Sequence, residues 1–201
     1  VFDNNLDKTT VIPAAFDSKA FSNCSMSSSN LSKKIIAVGR LSSIKNFELA
    51  IDTIEWLKNN GEIYTLTIVG DGEYRTTIEK HLAKSSCADQ VTLYGLAEHS
   101  KVKGLIESNG IVLITSKHEA SPTVVKEGIA SFRPVVTTDV GDVNLWIKNG
   151  VNGFVVDNSP ESLGKAIQKS KNLIRDSKYQ QSISLDDFSE YSIMNKLLAE
   201  Y

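Results

Sequence analysis

The stretch "GIVLITSKHEASPTVVKEGIASFRPVVTT", residues 110–138, decides the fold. It opens on a fully apolar run, crosses a polar loop, continues with apolar residues at helical spacing and closes on a second apolar run, "PVVTT". Short runs that are apolar on both faces and joined by a helix read as parallel strands covered on both sides. The same alternation extends outward. Upstream lie "KIIAVG", the helical "NFELAIDTIEWLKNNG" with its Asn60–Gly61 stop, "YTLTIVG", the helical "EYRTTIEKHLAKS", "VTLYG" and the helical "HSKVKGLIES". Downstream lie the short helical "VNLWIKNG", the strand "NGFVVD" and the helix "PESLGKAIQKSKNLI", opened by Pro160 behind Ser159. Six such strands alternating with helices predict an α/β, Rossmann-like, doubly wound parallel sheet with right-handed crossovers. Ligands of such sheets sit at the carboxyl ends of the strands, so the loops there are where chemistry is sought.

Composition sets the outer bounds. The 201 residues suffice for one α/β domain with extensions, and 41% hydrophobic with 23% charged residues is ordinary for a soluble globular protein. A net charge of −2 gives no basic field for nucleic acid or anionic lipid. Cys24 and Cys87 stand far apart, without metal-ligand spacing, and fit a reducing compartment. No apolar run approaches the length of a membrane span. Residues 1–33 read as a lead-in: "TTVIPAAFD" is extended and broken by Pro13, and "SNCSMSSSNLS" is a polar linker. Residues 34–176 form the sheet domain, and 177–201 a C-terminal helical segment containing the amphipathic "DDFSEYSIMNKLLAEY". The opening "VFDNN" reads as an internal start, so an N-terminal part is expected to precede it.

The loops after the strands hold the candidate residues. Ser121 is expected to cap the helix after "GIVLITS", with Pro122 at its first position. That helix start is then an anion site, suited to phosphate. Glu119, in the loop above it, suits sugar hydroxyls better than phosphate. Glu127, eight positions on, shares a helix face with Thr123 and can grip a vicinal diol such as a ribose. Taken alone, the two glutamates read first as a loop charge and a solvated helix position, because such spacings are common. In "VGRLSSIKN", Arg40 and Lys45 can neutralise a diphosphate, one as a fork and one as a point charge. Alone they would be ordinary surface cations, but Gly39 precedes them and a helix follows. One glycine in place of G-x-G-x-x-G argues against a nicotinamide or flavin site. "IVGDGEYR" lets the backbone turn tightly at Gly70, as a plain turn also would. Tyr94, in "VTLYG", borders a base or fills core. Gly141 follows a strand, with Asp142 and Asn144 as turn and cap residues. His81 sits in a helix without an evident partner, His99 starts a helix and His118 is a loop residue. No nucleophile elbow, metal-ligand spacing or Walker loop occurs.

Together and in this order, "VGRLSSIKN", "IVGDGEY", "VTLYG", "HEASPTVVKEGIASFRPVVTTDVG" and "NGVNGFVVD" resemble the C-terminal domain of the family 4 retaining glycosyltransferases, which have the two-domain GT-B fold. The lead-in looks like that family's interdomain linker, and "FSEYSIMNKLLAEY" is similar to its terminal helix, which crosses back to the N-terminal domain. Glu119 and Glu127 match its E-x7-E motif. The chain departs from the family twice. "ASPTV" stands where Gly-Phe-Gly-Leu-Pro is frequent, implying an altered pocket around the sugar. "GDVN" stands where Gly-Gly-x-x-Glu is frequent, without the acid.

The resemblance implies a nucleotide-diphosphate sugar as donor substrate, with no cofactor and no metal. It implies a glycan or lipid-linked acceptor and the protein's own N-terminal domain as partners. Arg40 and Lys45 would contact the diphosphate, Glu119 the donor sugar, and backbone groups of Ser121, Pro122, Thr123 and Val124 the sugar and phosphate. Glu127 would hold the ribose, and Gly39, Gly70 and Tyr94 would border the nucleotide. The expected place is the cytoplasm, with peripheral association of the full-length protein at the inner face of a membrane. This chain alone is expected to bind nucleotide without transferring sugar. A nucleotide-sugar epimerase and a non-catalytic nucleotide-binding module are the competing readings, with an oxidoreductase last.

Overall fold

The computed structural model describes residues 31–174. The lead-in up to residue 30, with Cys24, and the segment from residue 175 onward, with the expected closing helix, lie outside the described residues. The elements run β1 (Lys34–Val38), α1 (Phe47–Asn59), β2 (Thr65–Val69), α2 (Arg75–Leu82), β3 (Val91–Gly95), α3 (His99–Glu107), β4 (Ile111–Ile114), α4 (Thr123–Ala130), β5 (Val135–Thr138), α5 (Val143–Trp146), β6 (Gly153–Val156) and α6 (Pro160–Leu173). All six strands expected from the sequence are present. They pair in parallel in the order β3-β2-β1-β4-β5-β6. This is the doubly wound order, whose direction reverses between β1 and β4.

Alternation along each strand divides the core into two layers. Ile35, Ala37, Leu66, Ile68, Ile111, Leu113 and Val136 face α1, α2 and α6. Ile36, Val69, Val112, Ile114 and Val135 face α3, α4 and α5. Successive residues point to opposite faces of a strand, so a run such as "IVLI" must be apolar throughout to fill both layers. β3, at the edge, exposes Thr92 and Tyr94.

Helix ends follow local chemistry. Ser159 caps α6, its hydroxyl accepting from the Ser162 amide at 3.1 Å, with Pro160 at the first position. Gly61, at φ 78°, follows the end of α1. Arg133 is fully buried and donates to the carbonyls of Asn109, Ser131 and Glu107 at 2.6–2.8 Å. A cation thus satisfies the carbonyl ends of both α3 and α4. His81, without an evident partner in the sequence, joins α2 to α1 through Asp52 at 2.6 Å. Among the described residues no helix is long and apolar enough to cross a membrane.

Candidate functional site

The loops after β1 and β4 meet at the point where strand order reverses. Lys117 N donates to Ile44 O at 2.8 Å, and the Thr115 hydroxyl reaches the carbonyls of Lys45 and Asn46 at 3.1 and 3.0 Å. The loop after β4 therefore fixes the backbone of Lys45 from the side. A cleft of about 260 Å³ opens there, lined among others by Gly39, Lys45, Ser116, Glu119, Ser121, Pro122, Thr123 and Val124. Two hollows adjoin it. One, of about 580 Å³, shares Lys45 and Glu119 and adds Arg40, Glu73 and His118. The other, of about 390 Å³, shares Gly39 and adds Arg40, Gly70, Asp71 and the apolar Leu96.

Within the cleft Lys45 is ion-paired with Glu119, both side chains mostly buried. The Ser116 hydroxyl donates to the same carboxylate oxygen, Oε1, at 2.7 Å. Arg40 pairs with Glu73 at 3.1 Å, but both side chains are exposed, so this pair is weak and exchangeable. The stem of Lys45 runs over Gly39, where an added Cβ would stand 3.3 Å from Lys45 Cε. The two cations, the acid and the start of α4 therefore face connected space.

Two expectations about the start of α4 change. The helix begins at Thr123 and Pro122 is its N-cap, in extended conformation with ψ 111°, so Pro122 is not the first helical residue. Ser121 does not cap it, because its hydroxyl donates to Asp142 Oδ2 at 2.7 Å and accepts from Lys126 Nζ at 3.0 Å. The α4 start then lacks a side-chain cap; Val125 N donates to Pro122 O at 3.1 Å, and the N–H groups of Thr123 and Val124 precede the first intrahelical bond. Glu127 does not line the cleft: it is only 6% exposed, one turn behind Thr123. Burial pushes its carboxyl above the ordinary range, and His99 partly offsets this. Tyr94, 47% exposed at the end of β3, lines none of the three spaces.

Ser116, Lys126 and Asp142 belong to the site's fabric and were not singled out as site residues in the sequence. Ser116 stands three residues before Glu119 in a loop, which is a local signal. Lys126 and Asp142 meet across 16 residues, which no local pattern reveals. A larger hollow, of about 640 Å³, lies over β5 and β6 and is lined by Lys117, Asp139, Lys165 and Lys169 among others. None of the site residues expected from the sequence lines it, and of the residues lining the smaller cleft it shares Ser116 alone. The smaller cleft, where charge and helix start converge, is the candidate site.

The family model "Glycosyl transferases group 1" matches residues 27–184. Alpha-D-kanosaminyltransferase of Streptomyces kanamyceticus is 31% identical over 122 residues, 61% of this chain and 32% of that protein. The phosphatidylinositol N-acetylglucosaminyltransferase GPI3 subunit of Saccharomyces cerevisiae is 27% identical over 201 residues, 95% of this chain and 42% of that protein. The chain thus spans between about a third and two fifths of these curated relatives. Among solved structures, Anabaena Alr3699/HepE in complex with UDP superposes with TM-score 0.76 at 22% identity, over 95% of this chain and 56% of that one. That likeness concerns the fold, a Rossmann-like half of GT-B architecture.

Proposed function

The chain belongs to the glycosyl transferases of group 1, and from that premise we propose that its β1–β4 crevice holds a nucleotide-diphosphate sugar. The longer protein would pass that sugar to a glycan or lipid-linked acceptor with retention of configuration, as family 4 enzymes do. The observation that carries this is the meeting of Lys45, Glu119 and the open start of α4 in one cleft at the switch point.

A diphosphate in the cleft would draw Lys45 from Glu119 and Arg40 from Glu73. Each cation exchanges one anion for another, and for exposed Arg40 the exchange costs little. The bond from the anomeric carbon to the phosphate oxygen breaks with its electron pair going to the diphosphate. Lys45 and the α4 amides then stabilise the charge that develops there. Ser116 and Lys45 both reach Oε1 of Glu119, which leaves Oε2 for sugar hydroxyls. The donor is the substrate, and no cofactor enters this reading.

The test is the melting temperature of the chain with UDP, GDP and ADP and their sugars at millimolar concentration. A ligand at about 100 times its Kd adds about 2.7 kcal/mol to the folded state. For a domain of this size that is roughly 5–10 °C. No shift with any nucleotide would sink the reading.

Glu127 carries the ribose in this reading, and its burial makes that role separable from stability. Its folded-state pKa lies above the unfolded one. The stabilising contribution of the protonated carboxyl is thus complete below the unfolded pKa and lost as pH rises through the folded pKa. Glu127→Gln keeps the shape without the charge. It is expected to raise the melting temperature at pH 7.5, by about 2–4 °C for each kcal/mol relieved. The gain should vanish below about pH 4, where the native carboxyl is protonated in both states. Nucleotide affinity should fall at the same time, and unchanged affinity would remove Glu127 from the ribose site.

A further inference from the structure

The stretches "ASPTV" and "GDVN" are joined by a buried polar chain. "ASPTV" contributes Ser121 and "GDVN" contributes Asp142; Lys126, from α4, completes it. Lys126 is fully buried, with its ammonium 4.8 Å from the Trp146 ring centroid. Asp142 is 9% exposed, and its Oδ1 is buried without a hydrogen-bond partner among the described residues. Backbone contacts follow the same seam. Asp142 N donates to Ala120 O at 3.2 Å, and a Cβ on Gly141, at φ 55°, would stand 2.4 Å from that same oxygen. The loop after β5 is thus laid directly against the loop that carries Glu119 and Ser121.

This arrangement assigns the Ser121 hydroxyl a direction. A serine hydroxyl has one donor hydrogen and two acceptor lone pairs. A carboxylate only accepts and an ammonium only donates, so Asp142 takes the hydrogen and Lys126 takes one lone pair. One lone pair remains, on a side chain that lines the cleft. We propose that Ser121 reads a hydroxyl of the donor sugar as a fixed hydrogen-bond acceptor, and that Asp142 and Lys126 are the positioning residues that hold it in that polarity. The inference rests on the donor-site reading above and deepens it. A sugar carrying a free hydroxyl opposite Ser121 is accepted. One lacking that hydroxyl, or bearing only an acceptor there, leaves Ser121 unpaired and loses affinity. Burial lowers the pKa of Lys126 while Asp142 raises it, as expected for a charge balanced across the serine.

The experiment titrates the chain with UDP and UDP-glucose, and with GDP and GDP-mannose, by calorimetry. It compares the native protein with Ser121→Ala, Asp142→Ala, the double variant and Ser121→Thr. In the native protein, one nucleotide sugar should bind more tightly than its free diphosphate. Ser121→Ala and Asp142→Ala should each cut that sugar increment about tenfold, with diphosphate affinity changed less than about threefold. The double variant should lose no more than either single one, because Asp142 acts through Ser121. A merely structural Asp142 would instead add its loss to that of Ser121 and weaken diphosphate and sugar alike. If Asp142→Ala does not fold, the serine pair decides: Ser121→Thr should keep the increment and Ser121→Ala should lose it. Native protein that binds no nucleotide overturns the donor site itself. Native protein that binds the diphosphate but shows no sugar increment, or variants that keep the increment, overturn this inference alone.

Discussion

Replacing Lys45 by alanine is expected to weaken binding of a nucleoside diphosphate roughly 10- to 100-fold. The figure follows from one charge-assisted contact worth about 1.5–3 kcal/mol. Wherever sugar transfer is measured, turnover should fall further, because in the proposed reaction the ammonium would also meet the charge developing on the leaving diphosphate. The geometry makes this residue hard to replace. Its backbone is fixed by Thr115, its stem lies on Gly39, and its ammonium is held in the cleft by Glu119. Arg40→Ala should cost much less, since that side chain is exposed and its pair with Glu73 is exposed too. Glu119→Gln supplies the opposing control. It removes the anion that competes for Lys45, so free diphosphate should bind as well or better while the nucleotide sugar binds less well. Calorimetric titration of the three variants checks all of this. A Lys45→Ala protein with native affinity would take the diphosphate out of this cleft.

Fold and site differ in how far they can be read from sequence. Each strand had to be apolar on both faces because two helical layers cover it, and runs such as "KIIAV" and "IVLI" carry that directly. The positions of Lys45 and Glu119 were legible too, because both follow the carboxyl end of a strand next to the switch point. The start of α4 was not legible. A serine before a proline reads locally as cap and first turn, but here the hydroxyl is claimed by Asp142, 21 residues away. The burial of Glu127 is not legible either, for a related reason. α4 is buried continuously from Val125 to Ala130, so no solvated face remains for it. In both cases a contact between distant segments outweighed a local preference, and one sequence read along its length does not show such contacts.

Gly70→Ala is expected to give the largest loss of stability. Gly70 directly follows β2 at φ 144°, a region that L side chains rarely adopt. An added Cβ would stand 1.9 Å from the carbonyl oxygen of Gly39, an impossible approach unless backbone moves. The backbone that would have to move joins three strands. Gly39 N donates to Val69 O at 2.9 Å, Gly70 N to Gly95 O at 2.8 Å and Leu41 N to Asp71 O at 3.0 Å. Strain of about 1–3 kcal/mol at the unusual φ, together with disruption of these bonds, points to a total of about 3–5 kcal/mol. That is a fall of roughly 6–20 °C in melting temperature. Function should suffer beyond stability, because the displaced carbonyl belongs to the residue on which the Lys45 stem rests. Any folded Gly70→Ala protein should therefore also bind diphosphate poorly. Gly104→Ala is the control. It lies inside α3 with nothing within 4 Å of its added Cβ, so alanine there should stabilise by about 0.5–1 kcal/mol through helix propensity. Thermal unfolding of the two variants side by side separates a glycine required by contact from one that is merely tolerated. Equal melting temperatures would mean that the Gly39–Gly70 approach constrains nothing.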